Sequence, residues 1–252
     1  MTRPVLRVGH KGADALAPGN TLASFERAVA AGVDVIELDV LRPRGDFNGR
    51  RDWRNAPAGP APGSGPLLVA HDWADAERRE PLTLAEALDA FTRPPLHEVR
   101  INLDLKLAGR EDEVVRLLRE RELVGRAMVS TMERRSLYVL AQLEPGLPRG
   151  WTLPRVRRDW ISTPWARPFL AGGVASLRAR LPRIVRRGVP GPEVWATWVY
   201  HPLITPRLVR AAHQSGVALI AWTVDERAAF EALVEMGVDG ICTNDPRLFE
   251  AV

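Results

Sequence analysis

The stretch GHKG puts His10 and Lys11 just past an apolar run, VIELDV holds Glu37 and Asp39 two residues apart, VAHD ends in His71, and NLDLK spaces Asp104 and Lys106 by two. Residues i and i+2 of a strand share a face, so Glu37 points with Asp39, and Asp104 with Lys106. Ionised carboxylates in an apolar interior are costly unless they are paired or bound to a metal. Three of them converging with two histidines and two lysines is the composition of a hard-cation site. Such oxygen ligands suit Mg²⁺ or Ca²⁺, with Mn²⁺ also compatible, and Cys242 as the single cysteine leaves no Cys/His set for structural zinc. Lys11 and Lys106 bring positive charge for an anion such as a phosphate, and His10 and His71 have the side chain suited to acid–base work near neutral pH.

These residues need a scaffold that brings several strand ends to one place. Three segments, FERAVAAGVDVIELDV, LVRAAHQSGVALIAWTV and FEALVEMGVDGICTND, repeat one pattern: a helical stretch, a Gly, then an apolar run that begins with Val. Gly just past a helix takes the left-handed conformation without steric penalty, and the run after it reads as a strand buried on both faces. Strands are expected at Val5–Gly9, Val33–Val40, Arg100–Leu105, Ala127–Ser130, Arg149–Thr152, Val194–Val199, Val217–Thr223 and Gly240–Thr243. Helices are expected at Thr21–Ala31, Leu84–Phe91, Glu111–Glu122, Glu133–Gln142, Thr205–Gln214 and Glu226–Glu235, with one or two more within Trp165–Arg187. Eight strands alternating with helices predict an α/β fold, a closed (β/α)₈ TIM-type barrel forming a single domain over residues 1–252. Catalytic groups in such a barrel sit at the C-terminal ends of strands, where all the residues above fall. Strand seven ends in Trp222-Thr223 and strand eight in Thr243-Asn244-Asp245.

The segment Arg42–Pro66 breaks the rhythm, with five Gly, five Pro and five Arg, and reads as a long loop on the C-terminal face, either a lip over the site or a tolerated insertion. The net charge of +4 is mostly Arg spread over helices and loops without the aromatic–basic interleaving of a nucleic-acid motif, so no nucleic-acid partner is expected. Weak association with an anionic membrane fits the charge better. No run is long and apolar enough to span a membrane, no signal peptide is evident before the first strand, and a lone cysteine fits a reducing compartment. The chain is therefore expected in the cytoplasm.

GHKGADALAPGNTLASFERAVAAGVDVIELDV, then VAHD, then NLDLK, and finally AWTVDERAAFEALVEMGVDGICTNDP together resemble the glycerophosphodiester phosphodiesterases. The resemblance covers both ends and the first third, leaving about Trp151–Pro192 unmatched. It implies a TIM-type barrel, a divalent metal and two histidines that cleave a phosphodiester to a phosphomonoester, here sn-glycerol 3-phosphate, and an alcohol. Carried over by position, His10 and His71 match the catalytic pair, Glu37 and Asp39 two metal ligands, and Lys106 a phosphate-contacting lysine. Three departures stand out: Lys11 where Arg is usual, Gly19 where Glu is usual, and Asp104 in place of a Glu ligand. The last, with Lys106, is similar to sphingomyelinase D and phospholipase D-like relatives on the same barrel. The family's small insertion domain is also missing, since only Trp73–Thr83 separates His71-Asp72 from the next helix.

The expected chemistry is therefore metal-dependent hydrolysis of a small-molecule phosphodiester. The metal falls to Glu37, Asp39 and Asp104, the proton transfers to His10 and His71, and the substrate contacts to Lys11, Lys106 and Trp222. A phospholipase D-like enzyme that acts on lysophospholipids through a cyclic phosphate is the alternative within the class, and a non-catalytic phosphate- or lipid-binding barrel is the alternative outside it. A structural ion pair of Lys11 with Glu37 and Asp39 is the plainer reading of those carboxylates, and core packing that of Trp222. Asn20 is expected to tether the first loop or cap its helix, His201 to sit in a surface loop, His97 and His213 to be structural, and Cys242 to fill space.

Overall fold

The computed structural model of the chain describes residues 4–47, 59–60, 64–155, 167–189 and 191–251. Eight parallel strands follow one another in chain order and close, β8 pairing back onto β1. They are β1 Leu6–Gly9, β2 Val35–Val40, β3 Arg100–Leu105, β4 Ala127–Thr131, β5 Arg149–Leu153, β6 Ala196–Tyr200, β7 Ala218–Trp222 and β8 Gly240–Thr243. The helices are α1 Leu22–Ala30, α2 Trp73–Arg78, α3 Leu84–Ala90, α4 Glu111–Glu120, α5 Arg134–Leu143, α6 Arg167–Arg187, α7 Pro206–Gln214 and α8 Arg227–Met236. The expected TIM-type barrel is what forms.

The glycines at the three repeated junctions do what the sequence pattern asks. Gly32, Gly216 and Gly237 have φ of 72°, 69° and 82°, where a side chain would be strained, and each turns a helix into the next strand. The helix starts are equally local: Thr21, Thr83 and Thr205 cap α1, α3 and α7 by accepting a backbone N–H, and Thr83 forms a full capping box with Glu86. Apolar side chains then fill two spaces. One core lies between strands and helices, with Phe25 and Phe91 in ring contact at 5.4 Å. The other fills the barrel itself with Val8, Val35, Met128, Trp198, Ile220 and Cys242. Burial of each large side chain contributes about 1.5–3 kcal/mol relative to exposure.

Two elements differ from expectation. α2 lies where no helix is expected, because a six-residue helix shows almost no periodicity. It is held by contacts: Asp72 caps it through the N–H of Asp75, Arg79 pairs with Asp75 at 2.8 Å, and Trp73 Nε1 donates to the carbonyl of Arg42 at 2.9 Å. The stretch within Trp165–Arg187 resolves into one helix, α6, with Pro182 inside it, and the start of that expectation lies outside the described residues.

The middle of the Arg42–Pro66 loop also lies outside the described residues, but its two ends are clamped. Arg42 is buried, and its guanidinium bonds Asp46 at 2.7 Å, the carbonyl of Ala108 at 2.5 Å and that of Gly59 at 3.1 Å. Arg110 reaches the carbonyl of Gly65 at 3.0 Å. Beyond the loop, Leu68 pairs antiparallel with Leu41 and with Thr83, and this short ladder delivers His71 to the C-terminal side of β2.

Candidate active site

The register of β2 against β3 aligns Asp39 with Asp104 and Glu37 with Asn102. Glu37, Asp39 and Asp104 thereby converge, each offering a carboxylate oxygen within 4.8 Å of the others. All three are buried, Asp39 completely. Lys106 enters the group from β3, with Nζ 2.5 Å from Asp39 and 2.7 Å from Asp104. The plainer reading, in which Lys11 neutralises Glu37 and Asp39, is not what forms. Lys11 turns its ammonium to Asp14 at 3.2 Å and touches Glu37 only through its backbone N–H, at 2.9 Å.

The electrostatics follow from three carboxylates sharing one ammonium. Burial and the neighbouring Asp39 push the Glu37 carboxyl well above its ordinary range. Burial alone would raise Asp39 too, but Lys106 and then His71 and His10 hold it well below that range. Lys106 is held above its ordinary value by Asp104, Asp39 and Glu37 despite its own desolvation. A buried carboxylate with too little positive charge around it is what a bound cation relieves. The donor set is all oxygen, so the residues fit a hard divalent ion.

The loop after β1 is shaped around this cluster. Gly12 has φ +86°, and a Cβ there would lie 2.1 Å from Ser24 Oγ, so only glycine lets the loop pack onto α1. Ser24 Oγ donates to the carbonyl of Lys11 and accepts from the N–H of Ala13. Asn20 behaves as a tether, as expected: its amide donates to Asp39 at 2.8 Å and accepts the Asp39 N–H at 3.1 Å, while Thr21 takes the capping role. Gly19 places its N–H 2.7 Å from Asp14, and a Cβ at 19 would strike that carboxylate at 2.6 Å. Asp14 thus occupies, in this loop, the space that a side chain at position 19 would take.

His10 sits at the barrel mouth with Nδ1 2.6 Å from Oδ1 of Asn244. Desolvation lowers its basicity, more than the attraction of Asp39 raises it. His71 is more than half exposed and has Nδ1 3.2 Å from Asp72. Both histidines act electrostatically on Asp39. Trp222 completes this end of the barrel with its ring 5.6 Å from Tyr200, and its Nε1 is buried without a hydrogen-bond partner among the described residues. His201 is half-buried against Tyr200 in a short turn after β6, less exposed than expected, whereas His213 pairs with Asp239 on the outside and His97 lies beside Glu98, as expected.

Several polar residues here were not assigned from sequence. Ser130 donates to Asp104 at 2.7 Å and accepts from Asn102 at 2.9 Å, so β4 orients a carboxylate of β3. Asn102 had a readable signal, since it shares the face of Asp104 and Lys106. Asn244 was visible only as a polar residue at a strand end.

The family model of the glycerophosphoryl diester phosphodiesterases matches residues 10–43 and 83–248, and the chain belongs to that family. It is thereby an enzyme of the phosphodiesterase class. A glycerophosphodiester phosphodiesterase of Caldanaerobacter subterraneus subsp. tengcongensis is 25% identical over 274 residues, covering 96% of this chain and 94% of the relative. A probable glycerophosphodiester phosphodiesterase 2 of Mycobacterium tuberculosis is 28% identical over 245 residues, covering 93% and 85%. The fold is shared with a phosphodiesterase of Oleispira antarctica solved with the product sn-glycerol-3-phosphate, at 16% identity and a TM-score of 0.65 over 99% of this chain and 96% of that one. Among the described residues no helix is long and apolar enough to cross a membrane.

Proposed function

We propose that the enzyme hydrolyses glycerophosphodiesters to sn-glycerol 3-phosphate and an alcohol, with a divalent cation and with His10 and His71 as the proton-transfer pair. The observation that carries this reading is the buried triad Glu37, Asp39 and Asp104, capped by Lys106 and flanked by the two histidines. Those carboxylates would hold the cation, Mg²⁺ or Ca²⁺ with Mn²⁺ also compatible. When bound it supplies charge stabilisation to a phosphate oxygen.

The remaining chemistry falls to this chain's own side chains. Lys106 stays charged and offers a fixed ammonium to the phosphate, and Lys11, in the loop after β1, adds a second. A water oxygen forms the new bond to phosphorus as the bond to the alcohol oxygen breaks. One histidine accepts the proton of that water and the other delivers a proton to the leaving alkoxide. With Nδ1 directed at Asn244, His10 presents Nε2 to the mouth of the barrel. Trp222, whose ring lies at the same end of the barrel, is assigned to the substrate contacts. The single buried cysteine accords with a cytoplasmic setting.

The decisive assay is hydrolysis of glycerophosphocholine, with and without EDTA, by wild type and His10→Ala. Release of glycerol 3-phosphate that stops with EDTA or with the substitution supports the reading. Turnover of lysophosphatidylcholine alone, with a cyclic phosphate seen by ³¹P NMR, replaces it with the phospholipase D-like reaction.

A further inference from the structure

Charge is unevenly distributed around this barrel. Residues 134–214 hold fourteen arginines and three acidic residues, whereas the whole chain is only +4, so the rest of the molecule is net acidic. Within that stretch the consecutive outer helices α5, α6 and α7 contain no Asp or Glu at all. α6 alone carries Arg178, Arg180, Arg183, Arg186 and Arg187, every one exposed, and α5 and α7 add two exposed arginines each.

These arginines differ from those elsewhere in their partners. On α4, Arg116 and Arg119 are paired with Glu120 and Glu144 at 2.6 and 2.9 Å. Among the described residues no exposed arginine of α5, α6 or α7 has a carboxylate partner, and Arg178 instead donates to the carbonyl of Pro202 at 2.8 Å. Arg180, Arg183 and Arg187 recur at i, i+3 and i+7, one face of the helix, opposite the buried Leu181 and Val185. Like charges set this close repel each other, which costs stability unless an external anion is engaged.

The same flank carries two of the three large hydrophobic side chains exposed among the described residues, Tyr138 at 40% and Trp195 at 39%. Tyr138 on α5 lies against Gly191 of the α6–β6 loop, and Trp195 follows in that loop. Amphipathic aromatic rings beside arginines suit the headgroup layer of a bilayer, where the ring sits at the apolar boundary and the guanidinium meets phosphate. The surface lies on the outside of the barrel, where α6 packs on α7, and a broad outer face favours an anionic plane over a duplex.

We propose that the α5–α6–α7 flank docks the enzyme on an anionic lipid bilayer. The docking requires no turnover, so it is tested apart from catalysis. Full-length protein is sedimented with phosphatidylglycerol/phosphatidylcholine vesicles and with pure phosphatidylcholine vesicles, at low and high salt. Binding to the anionic vesicles alone, released by salt, is expected. Arg180→Gln/Arg183→Gln/Arg187→Gln should weaken partitioning about 100-fold, at roughly fivefold per arginine near the surface. Arg116→Gln/Arg119→Gln, which removes paired arginines from the neighbouring helix α4, should bind nearly as wild type. Rates on soluble glycerophosphocholine, measured in parallel, report whether each variant is folded. Absence of vesicle binding by wild type at low salt overturns the proposal, as does unchanged binding by the α6 variant. Preferential capture of duplex DNA over anionic vesicles overturns it in favour of a nucleic-acid surface.

Discussion

Oδ1 of Asn244 lies 2.6 Å from Nδ1 of His10, and the amide that carries it is fixed by Asp225, which accepts from Nδ2 and from the backbone N–H of Asn244 at 2.7 and 2.9 Å. A carboxylate can only accept, so Nδ2 must face Asp225 and Oδ1 must face the histidine. An amide oxygen cannot donate either, so the neutral imidazole carries its proton on Nδ1 and leaves the Nε2 lone pair free. β7's following loop thus sets the tautomer of a residue at the end of β1, through the end of β8.

Asn244→Ala should therefore lower kcat by about 10-fold or more, by analogy with the 10–100-fold seen when a partner that orients a metal-bound imidazole is removed. KM should change little, because Asn244 touches His10 and not the phosphate. Steady-state kinetics on glycerophosphocholine give both numbers, and an unchanged kcat would remove the orienting role.

Cation binding should release protons. Glu37 in the folded, cation-free protein has its carboxyl raised well above 4.5, whereas a ligand to the ion must be ionised. Below that raised value the free site holds a proton which the bound site gives up, so affinity rises with pH up to it. Titration calorimetry in two buffers of different ionisation enthalpy reads the released protons directly. Equal heats in both buffers would show that Glu37 does not bind the ion or is already ionised.

Lys106→Ala removes the ammonium that bridges Asp39 and Asp104 and leaves buried carboxylates facing one another. Breaking such a pair costs about 3 kcal/mol or more. The loss should appear in urea melts with EDTA present and be partly recovered by saturating Mg²⁺ or Ca²⁺, which replaces the missing positive charge. Recovery no larger than that of wild type would argue against a cation at these carboxylates.

Trp222→Phe keeps the ring against Tyr200 but deletes an indole N–H that has no partner among the described residues. Stability should stay within about 0.5 kcal/mol of wild type or rise, because an unsatisfied buried donor is removed. KM should rise by about fivefold if that donor meets the substrate, one hydrogen bond being worth about 1 kcal/mol. A marked drop in stability with normal KM would return Trp222 to simple packing.

Gly12→Ala should destabilise the protein by at least about 2 kcal/mol, combining left-handed strain with the Cβ clash against Ser24. Thermal melts give the size. Activity should fall with it, since Gly12 follows the residue whose N–H holds Glu37.

The sequence by itself determined the barrel and the approximate place of its reactive groups, because both rest on short-range rules. Period-two spacing put Glu37 with Asp39 and Asp104 with Lys106, and the helix–Gly–Val junctions marked where strands begin. Closure was inferred from repetition, and the pairing of β8 with β1 bears it out. What depends on register and on distant loops was decided only in three dimensions. Lys106, not Lys11, neutralises the carboxylates because β2 and β3 align Asp39 with Asp104, an offset no local pattern encodes. Asp14 occupies the space a residue-19 side chain would take because Lys11 and Asn20 are folded back on each other in left-handed conformations. Asn244 reaches His10 across 234 positions of chain, a contact created by ring closure alone. Local sequence dictates which face a side chain takes; which partner it meets is a property of the closed sheet.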